Sequence, residues 1–145
     1  MRTVRDLLAQ KGRAVWTIVP EAEVRDALKI MAEKKIGAVV VVSGAKIVGV
    51  FSERDYARKV ALKGRDTLRT PIRDVMTSEV YRVKEDTTTD ECMALMTEKH
   101  IRHLPVLDGD RLAGLVSIGD IVKAVITEQK ITIEHLQDYI TGRYL

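Results

Sequence analysis

At 145 residues, with 46% hydrophobic and 31% charged side chains, the chain has the size and balance of one globular domain, which excludes a disordered chain. Lys+Arg 24 against Asp+Glu 21 leaves a net charge of +3, and aromatics make up 4%, a poor basis for nucleic-acid binding. The single cysteine, Cys92, excludes an internal disulfide framework and a Cys-rich zinc site. The longest apolar run, residues 38–42, is far below a membrane span, and residues 1–8 lack a signal-peptide core. The expectation is a soluble protein of the cytoplasm or an organelle matrix.

In chain order, Val4-Arg-Asp-Leu-Leu8 leads into an apolar strand over residues 15–19. Val24, Ala27, Leu28 and Met31 then recur at helical spacing. Two strands follow, residues 38–42 and 46–51, around Ser43-Gly44-Ala45, and a second helix starts at Ser52. A polar linker, residues 63–71, ends in Pro71. Ile72-Arg-Asp-Val-Met76 then leads into a strand at residues 80–83 and a helix with Thr89, Cys92, Met93 and Met96 on one face. Strands at residues 104–107 and 111–116 flank Asp108-Gly109-Asp110, a hairpin signal, before a helix that starts at Ser117. From Ile121 the helix continues with Val122, Val125, Ile126, Ile133, Leu136 and Ile140 on one side, a stripe that would pack on the module or on a partner chain.

The order is β-α-β-β-α, twice. An offset of about 65 residues lays residues 15–61 on 80–126 without a gap. Met31/Met96, Glu33/Glu98, Lys34/Lys99, Ile36/Ile101, Gly49/Gly114, Ser52/Ser117 and Asp55/Asp120 coincide. Shared periodicity alone would not copy glycines, serines and aspartates in register, so the chain is an internal duplication. Each copy is too small for a secure core of its own. The fold class is therefore α+β, with two β-α-β-β-α repeats packed about a pseudo-twofold axis as one module over residues 1–145. Residues 8–65 form the first repeat, 72–130 the second, and 131–145 a helical tail.

Two segments carry the chemistry: Gly49-Val-Phe-Ser-Glu-Arg-Asp55 and Gly114-Leu-Val-Ser-Ile-Gly-Asp120. Each brings a strand to a helix start, where free N–H groups and a serine hydroxyl suit an anion. The aspartate three residues on offers two acceptors, which suits a sugar diol. The same Ser-x-x-Asp also reads as a capping box that needs no ligand. Arg102 and His103, at a helix end, suit phosphate or merely decorate a helix C-terminus; the first copy has Gly37 and Ala38 there. Cys92 and Trp16 read as core residues. The basic run over residues 58–73 reads as a solvated helix end and linker. Neither a nucleophile elbow nor a P-loop is present, and no metal-spaced His/Cys set stands out, so catalysis finds no support.

The Gly-h-h-Ser-x-x-Asp segments, Ile101-Arg-His-Leu-Pro-Val106 and the Asp74-Val-Met-Thr77 lead-in resemble the CBS domain, the family named after cystathionine β-synthase. The resemblance covers nearly the whole chain, as a stand-alone CBS pair, or Bateman module, similar to single-pair proteins of bacteria and plant organelles. It implies a homodimer without catalysis that senses an adenine nucleotide (AMP, ADP, ATP or NAD, or S-adenosylmethionine) in two clefts and acts on a regulated protein partner. One cleft would join Ser52, Arg54 and Asp55 to Tyr81, Ile101, Arg102 and His103. The other would join Ser117 and Asp120 to Trp16, Ile36, Gly37 and Ala38, with Arg102 or His103 reaching in. Gly119 stands where the first copy has Arg54, so the second cleft has the weaker phosphate grip. The alternatives are an interaction module with vestigial, ligand-free clefts, and a nucleic-acid binder that uses residues 58–73.

Overall fold

A computed structural model describes residues 2–142. The first half runs through α1 (Val4–Lys11), β1 (Thr17–Ile18), α2 (Val24–Lys34), β2 (Ala38–Ser43) and β3 (Lys46–Ser52). One helical turn, α3 (Glu53–Asp55), passes into a π-helical stretch, Tyr56–Ala61, where the Leu62 N–H donates to the Ala57 carbonyl at 3.0 Å. A 3₁₀ turn at Ile72–Asp74 opens the second half, followed by β4 (Val83–Lys84), α4 (Thr89–Lys99), β5 (His103–Asp108), β6 (Arg111–Ser117) and α5 (Ile118–Thr141).

Each half holds one three-stranded sheet, β1-β2-β3 and β4-β5-β6, with the first pair parallel and the second antiparallel. The duplication extends to the irregularities: the ladder slips between Val41 and Val42, and again between Val106 and Leu107. Strands β1 and β4 are only two residues long, shorter than their apolar runs suggest. Each is a parallel edge, and beyond Ile18 the chain meets exposed Val19 and then Pro20, which has no N–H to donate.

The cores are assembled by exchange. Val4, Leu7 and Leu8 of α1 are buried in the second half's core, against Cys92, Met96, Leu104 and Val116. Ile72 and Val75, from the lead-in that opens the second repeat, are buried in the first half's core, against Val24, Val39 and Phe51. The backbone bonds are equivalent. Val4 and Arg5 donate to the Thr87 and Glu85 carbonyls, at 2.8 Å each, while Ile72 and Arg73 donate to Ala22 and Pro20 at 2.8 and 3.0 Å. Glycine permits the close approach, since a Cβ on Gly49 would meet the Met76 sulfur at 2.5 Å and one on Gly114 would meet Leu8 Cδ2 at 2.7 Å.

Helix α5 runs unbroken to Thr141, so the predicted tail continues the repeat's own second helix; residues 143–145 lie outside the described residues. Of its apolar positions, Ile121 and Ala124 are buried in the module. Val125 packs against the second core, but Val122, Ile126, Ile133, Leu136 and Ile140 are exposed, so most of the stripe does not pack on the module. Trp16 also departs from expectation. It precedes β1 at the sheet edge, is 38% exposed, and carries the Lys34 ammonium 4.4 Å from its ring centre. It is a covered surface residue, not a core one.

Candidate functional site

Ser52 ends β3 and caps α3. Its hydroxyl accepts from the Asp55 N–H at 3.2 Å, while Asp55 Oδ2 accepts from the Ser52 N–H at 2.9 Å. Asp55 Oδ1 takes the Thr77 hydroxyl at 2.9 Å and lies 3.1 Å from the Lys59 ammonium. The capping box therefore exists, and the carboxylate is nearly buried within it. The Glu53 N–H, for its part, donates to the Gly37 carbonyl at 3.0 Å. Two of the helix-start amides expected to hold an anion are thus already committed, which leaves side chains as the main groups that could meet an anion here.

Those side chains surround a cavity of about 220 Å³ between the halves. Ser52, Arg54 and Asp55 of the first half and Tyr81, Ile101, Arg102 and His103 of the second all line it. Arg54 reaches across to donate to the His100 carbonyl at 3.0 Å, at the left-handed residue that ends α4. The phenol of Tyr81 donates to Glu79 at 2.7 Å, and the Lys99 ammonium lies 5.3 Å from its ring centre.

The second motif is built alike and ends differently. Ser117 caps α5, accepting from the Asp120 N–H at 3.2 Å, and Asp120 accepts from the Ser117 N–H at 2.8 Å. The Ile118 N–H is committed to the Arg102 carbonyl at 2.9 Å. The Lys11 ammonium, from the end of α1, lies 2.6 Å from Asp120 Oδ2 and donates to the Leu115 carbonyl at 2.8 Å. Burial pushes the Asp120 carboxyl up, but the bonds from Lys11 and Ser117 outweigh it and hold the group below the usual carboxylate range. The remaining residues assigned to this cleft are dispersed. Ile36 packs on the first core, Ala38 is buried, and Gly37 lies in the wall of the first cavity. A Cβ on Gly37 would stand 3.3 Å from His103 Nε2, so its lack of a side chain makes room for the imidazole.

His103 lies within reach of both motifs. Burial lowers its pKa, the charges of Asp120 and Asp55 act to raise it, and those of Lys11 and Arg102 act to lower it further. The net effect is a neutral imidazole, able to donate one hydrogen bond and accept one. Cys92 is buried, and desolvation, aided by Glu91, pushes its thiol up to about 11, which suits the structural role read for it.

The CBS-domain family model matches residues 4–62 and again 72–127. The chain belongs to the CBS-domain family. It is 36% identical over 152 residues to the mitochondrial CBS domain-containing protein CBSX3 of Arabidopsis thaliana, covering 98% of this chain and 73% of that one. A CBS-domain protein from Burkholderia ambifaria superposes with a TM-score of 0.85 at 52% identity, covering 88% of this chain and 96% of the other. The CBS domain pair of protein MJ0100, solved in complex with 5-methylthioadenosine and S-adenosyl-L-methionine, superposes with a TM-score of 0.77 at 25% identity, covering 88% and 98%.

Within this CBS pair, sequence reasoning missed Thr77, Glu53, Glu79 and Val50 in the cavity wall, and it missed Lys59 and Lys11 as partners of the aspartates. Thr77 carried a signal, as the last residue of the Asp74–Thr77 lead-in. Lys11 carried none, because the contact spans 109 residues. Among the described residues no three His, Cys, Asp or Glu side chains gather as a metal site, and no helix is long and apolar enough to cross a membrane.

Proposed function

We propose that this CBS pair is a regulatory module that binds an adenine nucleotide and catalyses nothing itself. The supporting observation is the cavity between the repeats, where a capped aspartate, three side chains able to contact phosphate (Arg54, Arg102, His103) and an aromatic ring meet. The carboxylate suits ribose hydroxyls, the cations suit phosphate, and Tyr81 with Ile101 offers an apolar face for the base. The MJ0100 pair, with its adenosine-derived ligands, supports that class of ligand. The exposed stripe of α5 supports a homodimer, and the mitochondrial relative is consistent with work in an organelle matrix or the cytoplasm, upon a regulated protein partner.

The test is thermal unfolding with AMP, ADP, ATP or NAD at millimolar levels. A ligand that binds the folded state raises the melting temperature by mass action. An unmoved melting temperature with all four would favour the interaction-module reading, in which Ser52 and Ser117 serve only as caps.

A further inference from the structure

The cleft does not stop at Arg54 and Arg102. Beyond them lies a second, larger hollow of about 580 Å³ that shares Arg54, His100, Ile101 and Arg102 with the first. Arg58, one turn after Arg54, lines it, together with Met96 and Ile118. The two hollows differ in charge. Glu53, Asp55 and Glu79 line the cleft, whereas the residues around the outer hollow include no carboxylate. Among the described residues, Arg54, Arg58 and Arg102 form no ion pair, although Arg65, Arg69, Arg73 and Arg111 each have an acidic neighbour. Three unpaired guanidinium groups around one hollow repel each other unless an anion joins them. Size points the same way. The cleft alone falls below the usual range for small-ligand sites, roughly 300–1,000 Å³, and the two hollows together fall within it.

We infer that the outer hollow is a polyphosphate subsite, and that the ligand is a nucleotide with at least two phosphates, its nucleoside in the cleft and its terminal phosphate on Arg58. This rests on the nucleotide reading above and narrows it. A monophosphate reaches Arg54 and Arg102 only. S-adenosylmethionine presents a sulfonium cation to three guanidinium groups and is disfavoured. One charge-assisted contact to Arg58 is worth about tenfold or more in affinity.

The experiment is calorimetric titration of the full chain and of Arg58→Ala with AMP, ADP, ATP, NAD and inorganic tripolyphosphate. Arg58 is exposed, so its replacement leaves both cores intact. The expected result is ADP and ATP at least tenfold tighter than AMP, a preference that falls below about threefold in Arg58→Ala while AMP binding stays as it was. Arg58→Lys should restore part of the preference, since it keeps the charge but loses the fork. NAD shows whether the subsite accepts a bridging diphosphate as well as a terminal one; equal affinity for NAD and AMP restricts the ligand to free di- and triphosphates. Equal affinity for AMP and ADP overturns the inference and leaves the nucleotide reading standing. So does a loss of AMP binding in Arg58→Ala as large as that of ADP. If tripolyphosphate binds in an Arg58-dependent way and no nucleotide does, the nucleotide reading falls and the subsite stands. If nothing binds, both fall.

Discussion

Asp55 and Asp120 occupy equivalent positions and close equivalent capping boxes, yet their second partners come from different places. Asp55 is neutralised by Lys59, one turn along its own helix, and Thr77 completes its shell. The second copy has Ala124 where the first has Lys59, so its helix supplies no cation. Lys11 arrives from α1 instead and takes both roles, with its charge on Asp120 and a hydrogen bond on the Leu115 carbonyl. The bond on Leu115 matters because its counterpart, Val50, is bridged by the Thr77 backbone. A duplicated motif thus keeps its backbone geometry while its chemistry follows what the surroundings supply. Ribose hydroxyls at Asp55 would share an oxygen with a hydroxyl and a flexible lysine. At Asp120 they would have to displace a short, charge-assisted bond.

The comparison breaks most cleanly at the aspartates themselves. Asp55→Asn removes a charged acceptor from the cavity and should weaken nucleotide binding by roughly 10- to 100-fold in calorimetry. Asp120→Asn should change the same constant by less than about threefold. Equal losses would mean that the two clefts are equivalent despite their different partners. Next in size, Lys11→Ala should release Asp120 and tighten a second, weaker binding event by about two- to fivefold, the scale of a partly exposed ion pair. A weaker second event in this variant would instead make Lys11 a phosphate ligand.

A smaller effect concerns pH. Because burial lowers the pKa of His103, the folded protein takes up its proton only below the usual value near 6.5. A bound phosphate favours the protonated ring, so affinity should rise a few-fold as pH falls below about 6.5, and His103→Gln should flatten the profile. Without ligand the sign reverses. The unfolded chain binds that proton more readily, so stability contributed by the neutral ring is complete above about pH 6.5 and is lost below it. The smallest expected effect is at Asp120, whose lowered pKa contributes stability above about pH 4 that is lost as pH falls through the folded value. Lys11 is more than a third exposed, so this contribution is under about 1 kcal/mol, readable as a difference in acid denaturation between the native chain and Lys11→Ala.

Much of this was legible beforehand. The register of glycine, serine and aspartate exposed the duplication, and the apolar spacing located α2, α4 and the β2-β3 and β5-β6 hairpins, because these elements are organised by near neighbours. The parallel edges β1 and β4 were overdrawn, since their ends depend on how far the neighbouring strand runs. The Ser-x-x-Asp segments were open to two readings, cap and site, and the geometry contains the cap in full beside a cavity. Trp16 was misjudged because nothing local reveals that Lys34 lies over it. Lys11 and the outer hollow at Arg58 come from contacts between distant segments, which no local pattern records.

The exchange of lead-in segments has a bearing on ancestry and engineering. If the chain is cut conceptually in the polar stretch before Pro71, it becomes two single-repeat molecules, each lending its leading segment to the other's interior through the same pair of backbone bonds. That is the arrangement of a domain-swapped dimer, here with its two protomers joined by a tether. Neither fragment would be a closed body alone, but the two mixed together carry every surface needed to reassemble.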